Sequence, residues 1–514
     1  MPDLDPTAAV TALRLKAARL QQEGDLSGAF DAYEQAVALA PQDAALLMAL
    51  ADLASQMQMH DVALKLWAHL GPADRISPQA LNGHARALIA AARFGEAIDL
   101  LKAALQIHPG EPRLWTTLGL GLTYAGRAAD ATPFFSEGVR LDPTLPGAIY
   151  NRGLALCDLE RDDEAEADFH AALALAPNPA ERATIEFSLA TTALGRGDLA
   201  TGWPLYERRL SSDWHKAVEF QGAGQRLLPG DNLGACSILV LAEQGISDEI
   251  MFANALPDLI DEVGTRGRVV LAVEQRLVAL FQRSFPLVEI VAHATPRVGL
   301  RPMRRPREPV GGPIDFWTPL ASLAQRYRPT VADFPRAPFL RPDSARVAHW
   351  RAWLGERPAF GLTWRSGKVA GERWRYAPPL QQWVGLLQTP GAQFINVQYG
   401  DCAADLAQLS RMSGVEIRQP PALDIRADLD DLAALCMALD GVVGIQNATT
   451  VLAGACGAPV RFVLGPGSWF QLGQDQAPWF ADGLICATGD FGDWTPALAK
   501  AAQAVQAIAA SAPA

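Results

Sequence analysis

A chain of 514 residues with 49% hydrophobic and 19% charged residues is globular, and at roughly 100 to 200 residues per domain it is too long for one core. Its net charge of −12 argues against a general nucleic-acid or anionic-membrane binder. Met1 to Val10 carry no basic and no apolar stretch, so no secretory signal is visible and a cytoplasmic location is expected. Cys157, Cys236, Cys402, Cys436, Cys456 and Cys486 stand singly, without a Cys-x-x-Cys or Cys/His pairing, which predicts free thiols rather than a zinc site or disulfides.

The chain begins with repeats. An alanine returns every 34 residues at Ala29, Ala63, Ala97, Ala131 and Ala165, and a large residue stands four positions after each, at Tyr33, Trp67, Leu101, Phe135 and Phe169. That period is the mark of TPR helix pairs. Pro41, Pro109, Pro143 and Pro177 close four of the repeats, while repeat two has Pro72 instead; Gly119 and Gly153 let paired helices approach closely. One pair cannot bury its apolar face alone, so stacked pairs are expected to form an α-solenoid with a concave groove. The groove suits a partner polypeptide, with a spacer or dimerisation surface as the alternative. A sixth, atypical pair over 181–210 contains GDLATGWPLYERRL, whose Trp203 and Tyr206 call for burial, and reads as the solenoid's cap. The first domain is therefore expected at 1–210.

Beyond Gly222 the pattern becomes strand and helix in alternation, which predicts parallel sheets with right-handed crossovers. Strands are expected at 237–242, 268–273 and 288–291, and a long irregular loop at 297–313, with five arginines and four prolines. A second such unit begins near Phe360, with strands at 360–364 and 393–398. These predict two Rossmann-like domains, 211–345 and 346–514. The last closes on a helix from Thr495.

Four loops carry chemistry. QGISDEI, after the first strand, places Gly245, Asp248 and Glu249 at a helix start: the acids either complement the helix dipole or supply a general base at the mouth of the sheet. WRSGK joins Arg365, Ser366, Gly367 and Lys368, two cations around a glycine that admits close backbone approach, suited to a phosphate or to solvent. Gln398 and Tyr399 end a strand that could converge with it. VVGIQNATTVLAGACGAPVRFVL reads as strand, turn, helix and strand, so that Asn447, Ala448, Thr449 and Thr450 stand at a helix start where a nucleotide phosphate would sit; an ordinary capped helix is the alternative. Its uncharged run contains too many polar, Gly and Pro residues for a membrane span. Asp428-Leu429-Asp430 matches a metal-binding DxD but precedes DLAALCMAL, which makes it an N-cap and acidic first turn, and no metal is expected. All eight histidines lie at or before His349, so none can serve from the second sheet.

Taken together, GDLATGWPLYERRL, EQGISDEIMFANALPDLI, GLTWRSG, VQYGDCAADLAQL, DGVVGIQNATTVLAGACGAPV and APWF resemble bacterial proteins that join TPR repeats to a GT-B glycosyltransferase module, related to heptosyltransferases and to O-GlcNAc transferases. Alphaproteobacterial flagellin glycosyltransferases are the most similar group. The resemblance implies transfer of a sugar, such as the nonulosonic acid pseudaminic acid, from a nucleotide-linked donor to Ser or Thr of flagellin held by the TPRs. A CMP-linked donor is one candidate, and no cofactor is implied. Asp248 would match the base, Arg365 and Ser366 the donor loop, and Asn447, Thr449 and Thr450 the phosphate-binding helix start. Ser247 in place of a usual glycine and Val451 in place of a frequent histidine depart from the pattern. The other readings are an inactive scaffold that binds a partner through its TPRs and a heptosyltransferase-like enzyme of surface polysaccharide synthesis.

Overall fold

The structure, a computed structural model, describes residues 6–214, 217–298, 301–367 and 375–511. Lys368, expected in the donor loop, lies outside them. The chain divides into two compact units, one of Met1–Leu175 with Lys368–Arg375 and one of Ala176–Gly367 with Tyr376–Ala514.

The first unit is a TPR-like solenoid of helix pairs: Pro6–Glu23 with Leu26–Leu39, Ala44–Gln56 with His60–His69, Pro78–Ala90 with Phe94–Ile107, Pro112–Tyr124 with Ala128–Leu141, and Pro146–Asp158 with Asp162–Leu175. Helix starts are set by Asp25, Asp43 and Ser77 side chains accepting backbone N–H groups, and by proline in the first turn at Pro78, Pro112 and Pro146. The four closing prolines stand just past Leu39, Ile107, Leu141 and Leu175, whereas Pro72 opens an extra single turn, Pro72–Arg75. All five alanines of the 34-residue step are 0% exposed, and the five large residues four positions on are buried. The glycines complete that packing. A Cβ on Gly119 would lie 2.8 Å from the Phe135 ring and one on Gly153 2.7 Å from the Phe169 ring, so each ring fills the space that its partner leaves empty. Within the same unit, Arg375 pairs with the buried Asp158.

The second unit opens on the helix pair Pro179–Gly195 and Leu199–Tyr206, followed by the turn Glu207–Leu210. Two sheets follow. The first holds β1 (Glu219–Phe220), β2 (Gln225–Arg226), β3 (Ser237–Leu241), β4 (Arg268–Val273), β5 (Val288–Ala294), β6 (Arg297–Val298), β7 (Arg301–Pro306) and β8 (Phe316–Pro319). Its order is β1-β7-β5-β4-β3-β8-β2, with β6 beside β7; the pairs β5–β7 and β6–β7 are antiparallel and the rest parallel. Of the arginine- and proline-rich segment expected as an irregular loop over 297–313, residues 297–298 and 301–306 are thus drawn into the sheet, while 307–313 remain a loop. Its prolines carry no N–H to lose, and its ladder partners come from β5, just before it, and from β1, remote in sequence.

The second sheet holds β9 (Ala359–Thr363), β10 (Gln393–Asn396), β11 (Ile417–Arg418), β12 (Gly441–Ile445), β13 (Val460–Leu464) and β14 (Gly483–Ala487). It runs β11-β10-β9-β12-β13-β14 with every pair parallel, the doubly wound order in which the chain reverses direction between β9 and β12. Its strands read as continuous apolar runs because both faces are covered. The closing helix, Thr495–Ser511, buries Ala497, Leu498, Ala501 and Val505 against one face.

Candidate functional site

Each sheet carries a polar turn at its switch point. In the first sheet this is 242–249, after β3, where β4 lies to one side and β8 to the other. The helix Ile246–Phe252 starts there, and Asp248 Oδ2 accepts the Gly245 N–H at 3.1 Å, the reaching-back half of a capping box. Asp248 keeps part of its surface open, yet burial of its carboxylate pushes its pKa up to about 6. The Gly245 N–H opposes that rise and the carboxylates of Glu243 and Glu249 add to it. Capping and an elevated pKa therefore coexist in one residue.

Glu249, expected beside Asp248 at the mouth of the sheet, is instead 2% exposed. It accepts the Glu274 N–H at 2.8 Å and has His293 Nε2 at 2.8 Å and Arg304 Nη1 at 3.4 Å. Glu243, also 2% exposed, accepts from Arg209 Nε at 2.9 Å and Nη2 at 2.7 Å and from the Ala321 N–H at 2.9 Å. Tyr206 OH accepts from Gln244 Nε2 at 3.0 Å. The YERR sequence and the EQGISDE turn, far apart in the chain, are therefore one buried network, with Arg209 paired on both sides by Glu243 and Glu207. In the sequence, the mark of Glu243 is a carboxylate directly following an apolar strand; nothing local marks Arg209 or Arg304.

In the second sheet, Gln398 is the hub. Its Oε1 accepts from Thr363 Oγ1 at 2.9 Å, Trp364 N at 2.9 Å and Arg365 N at 3.0 Å. Asn447 Nδ2 donates to Thr363 Oγ1 at 2.7 Å, so the turns after β9 and β12 are tied at the switch point. The helix Ala448–Cys456 begins at once because Asn447 Oδ1 caps the N–H groups of Thr449 and Thr450. Thr450 Oγ1 accepts the Asn447 N–H at 3.0 Å and bonds Ile445 O at 2.9 Å; Thr449 Oγ1 donates to Val397 O at 3.2 Å. Both hydroxyls are thus engaged internally, and the N–H of Ala448 at the helix start is left without an intrahelical acceptor. Arg365 pairs with Asp405 at 2.7 Å and also donates to Asp401 O. Gly367 carries the Tyr399 ring against its backbone, where a Cβ would be 2.5 Å away, and its N–H meets Tyr399 OH at 3.1 Å. Ser366 stands half-buried in this loop. Val451 is 0% exposed in the core.

Beside this switch point an open cleft of about 910 Å³ lies at the carboxyl ends of β10 and β11, with Gln398, Tyr399, Asp401, Gln419, Leu423 and Asp424 among its walls. The helices that start at the two turns, Ile246–Phe252 and Ala448–Cys456, pack on each other. Asp428 caps the helix Leu429–Ala438, Asp430 pairs with Arg283 and Asp431 accepts from Trp350 Nε1, so the DxD serves structure. Among the described residues no group of three His, Cys, Asp or Glu side chains is gathered as a metal site, and no helix is long and apolar enough to cross a membrane.

The fold is that of a TPR-repeat protein continued by an α/β region of parallel sheets with loop sites at their switch points. Residues 78–121 match the tetratricopeptide repeat family. Over 496 residues the chain is 40% identical to Protein FlbA of Caulobacter vibrioides, spanning 96% of this chain and 83% of that protein, and it belongs to the FlbA family. A shorter likeness, 35% identity over 66 residues, covers 13% of this chain and 11% of the peroxisomal targeting signal receptor of Candida albicans. Among solved structures, a thermophilic TPR protein of Thermus thermophilus is 21% identical over 36% of this chain and 99% of its own, with a TM-score of 0.33.

Proposed function

We propose that the protein is a cytoplasmic O-glycosyltransferase of the GT-B kind that moves a sugar from a nucleotide donor to a Ser or Thr hydroxyl of a protein acceptor, flagellin, held by the TPR solenoid. The observation that carries this reading is Asp248: a half-buried residue whose carboxyl pKa burial raises to about 6, at the switch point of a sheet, in the same compact unit as a cleft of about 910 Å³. Asp248 takes the proton of the acceptor hydroxyl as its oxygen bonds to the anomeric carbon. The bond from that carbon to the donor phosphate breaks, and the nucleotide departs with the electron pair. The donor's nucleoside occupies the cleft beside Gln398 and Tyr399, and the Ala448 N–H at the positive end of its helix faces the departing phosphate.

A second reading, a GT-B-like scaffold that binds its partner through the TPRs, is favoured by one observation: Arg365 and the Thr449 and Thr450 hydroxyls, expected to meet the donor, are spent on Asp405 and on backbone carbonyls. Transfer from CMP-pseudaminic acid to purified flagellin, followed by intact mass, separates the two. Wild type is expected to add mass, and Asp248→Asn, which can still cap its helix, to transfer more slowly by about 10²- to 10⁴-fold while melting normally. Equal rates for the two would remove Asp248 as the base; no transfer by wild type from CMP-, UDP- or ADP-linked sugars would favour the scaffold.

A further inference from the structure

The reaction above uses none of the arginines of the 297–313 segment, and one of them is buried. Arg304, on β7, is 6% exposed and sits directly behind the 242–249 turn. Its Nη1 donates to Ala242 O at 2.8 Å and approaches Glu249 Oε1 at 3.4 Å, its Nη2 reaches Gln244 O at 3.4 Å, and its Nε donates to Thr295 Oγ1 at 3.1 Å. Between the two carbonyls it grips, Gln244 is held at φ 59°, a left-handed backbone that strains a residue with a Cβ. Such a shape persists only where its surroundings over-determine it.

We propose that Arg304 is the positioning residue of this turn: a single planar guanidinium fixes the carbonyls of Ala242 and Gln244 against the Glu249 carboxylate and so fixes where Asp248 stands at the helix start. The role needs a fork as well as a charge. A lysine would supply a point charge able to satisfy one carbonyl at a time, whereas the guanidinium holds both together. It also explains why a cation that burial works against is kept there: burial lowers the pKa of Arg304, and Glu249, Glu243 and Asp248 oppose that. The charged and titratable groups around the turn are Glu243, Asp248 and Glu249 on it, His293 on β5, and Arg209 and Tyr206 from the preceding helical segment.

The inference rests on Asp248 acting as the base, and two measurements on the full-length chain keep the claims apart. In hydrogen exchange, Arg304→Met is expected to speed exchange of the 243–250 amides by about tenfold or more while β4 and the TPR helices exchange as in wild type, with Arg304→Lys between the two. In transfer from CMP-pseudaminic acid to flagellin, Arg304→Lys is expected to lower kcat by about 10- to 100-fold, with KM for the donor unchanged and the acidic limb of the pH profile in place. Arg304→Met loses the cation as well, so that limb moves to higher pH. Exchange and kcat within about twofold of wild type in Arg304→Met, or faster exchange spread evenly over the whole unit, would overturn the proposal. If Arg304→Met does not fold, Arg304→Lys carries the same two readouts, and wild-type rates in it would be equally decisive. Should wild type transfer no sugar, the glycosyltransferase reading fails while hydrogen exchange still decides what Arg304 holds in place.

Discussion

Asp248 binds its proton more tightly in the folded chain, near pH 6, than in the unfolded one, near 3.9, and this sets a sign for stability. Between those values the native state holds more protons, so stability falls as pH rises through the window and stays lower above it. Asparagine keeps the hydrogen bond from Gly245 and carries no charge. Asp248→Asn should therefore be more stable than wild type at about pH 8, by up to roughly 2 kcal/mol, with the gain vanishing below about pH 4; urea titrations at both ends check this. Thr450 works the other way. Its hydroxyl is fully buried between the Asn447 N–H and Ile445 O, so Thr450→Val leaves a buried donor and acceptor unpaired at a cost of roughly 1–3 kcal/mol. A lower midpoint in a thermal melt is the expected result, and an unchanged one would show that the hydroxyl is idle.

At the scale of single elements, the solenoid depends on pairs of one absent and one large side chain. Gly153→Ala gains about 1 kcal/mol of helix propensity, but its methyl would meet the Phe169 ring at 2.7 Å, and overpacking a core of this kind costs about 1–3 kcal/mol. Net destabilisation of the first unit is expected. Phe169→Leu in the same chain should recover part of it, since leucine can vacate the space; a double-mutant cycle in urea measures the coupling. A strand shows the opposite lesson. β7 carries arginines and prolines with no alternation to reveal it, and exists because β1 and β5 offer its backbone partners and because Arg304 is buried behind β3.

For the molecule as a whole, the position of the boundary matters. The helix pair 179–206 resembles one more repeat, yet it belongs to the compact unit of the sheets. Trp203 donates to Arg328 O at 2.8 Å and packs edge-on to Phe252 and Trp479, and Arg209 neutralises Glu243. A fragment cut at 211 would leave Glu243 buried without its cation, and breaking a buried pair in this way costs roughly 3–5 kcal/mol before the lost aromatic packing is added. Fragment 176–514 should give one cooperative melt and remain monodisperse, whereas 211–514 should melt broadly or aggregate. Scanning calorimetry with light scattering distinguishes them, and equal behaviour of the two fragments would refute this placement of the boundary.

The repeats were legible in the sequence because each pair packs on its neighbours along the chain, so a 34-residue period in Ala29 to Ala165 is itself the packing rule. The alternation of apolar strands and helices, and the polar turns after β3, β9 and β12, were legible for the same reason: strand, turn and cap chemistry is local. What remained hidden was set by partners distant in the chain. Local spacing could not show that Asn447 and Thr450 cap each other, that Arg365 turns to Asp405, or that Glu249 faces inward to His293 and Arg304. Nor could it bring Arg209 to Glu243. Burial raises the cost of every unpaired polar group, so which partner each one takes is decided only when the tertiary fold closes around it.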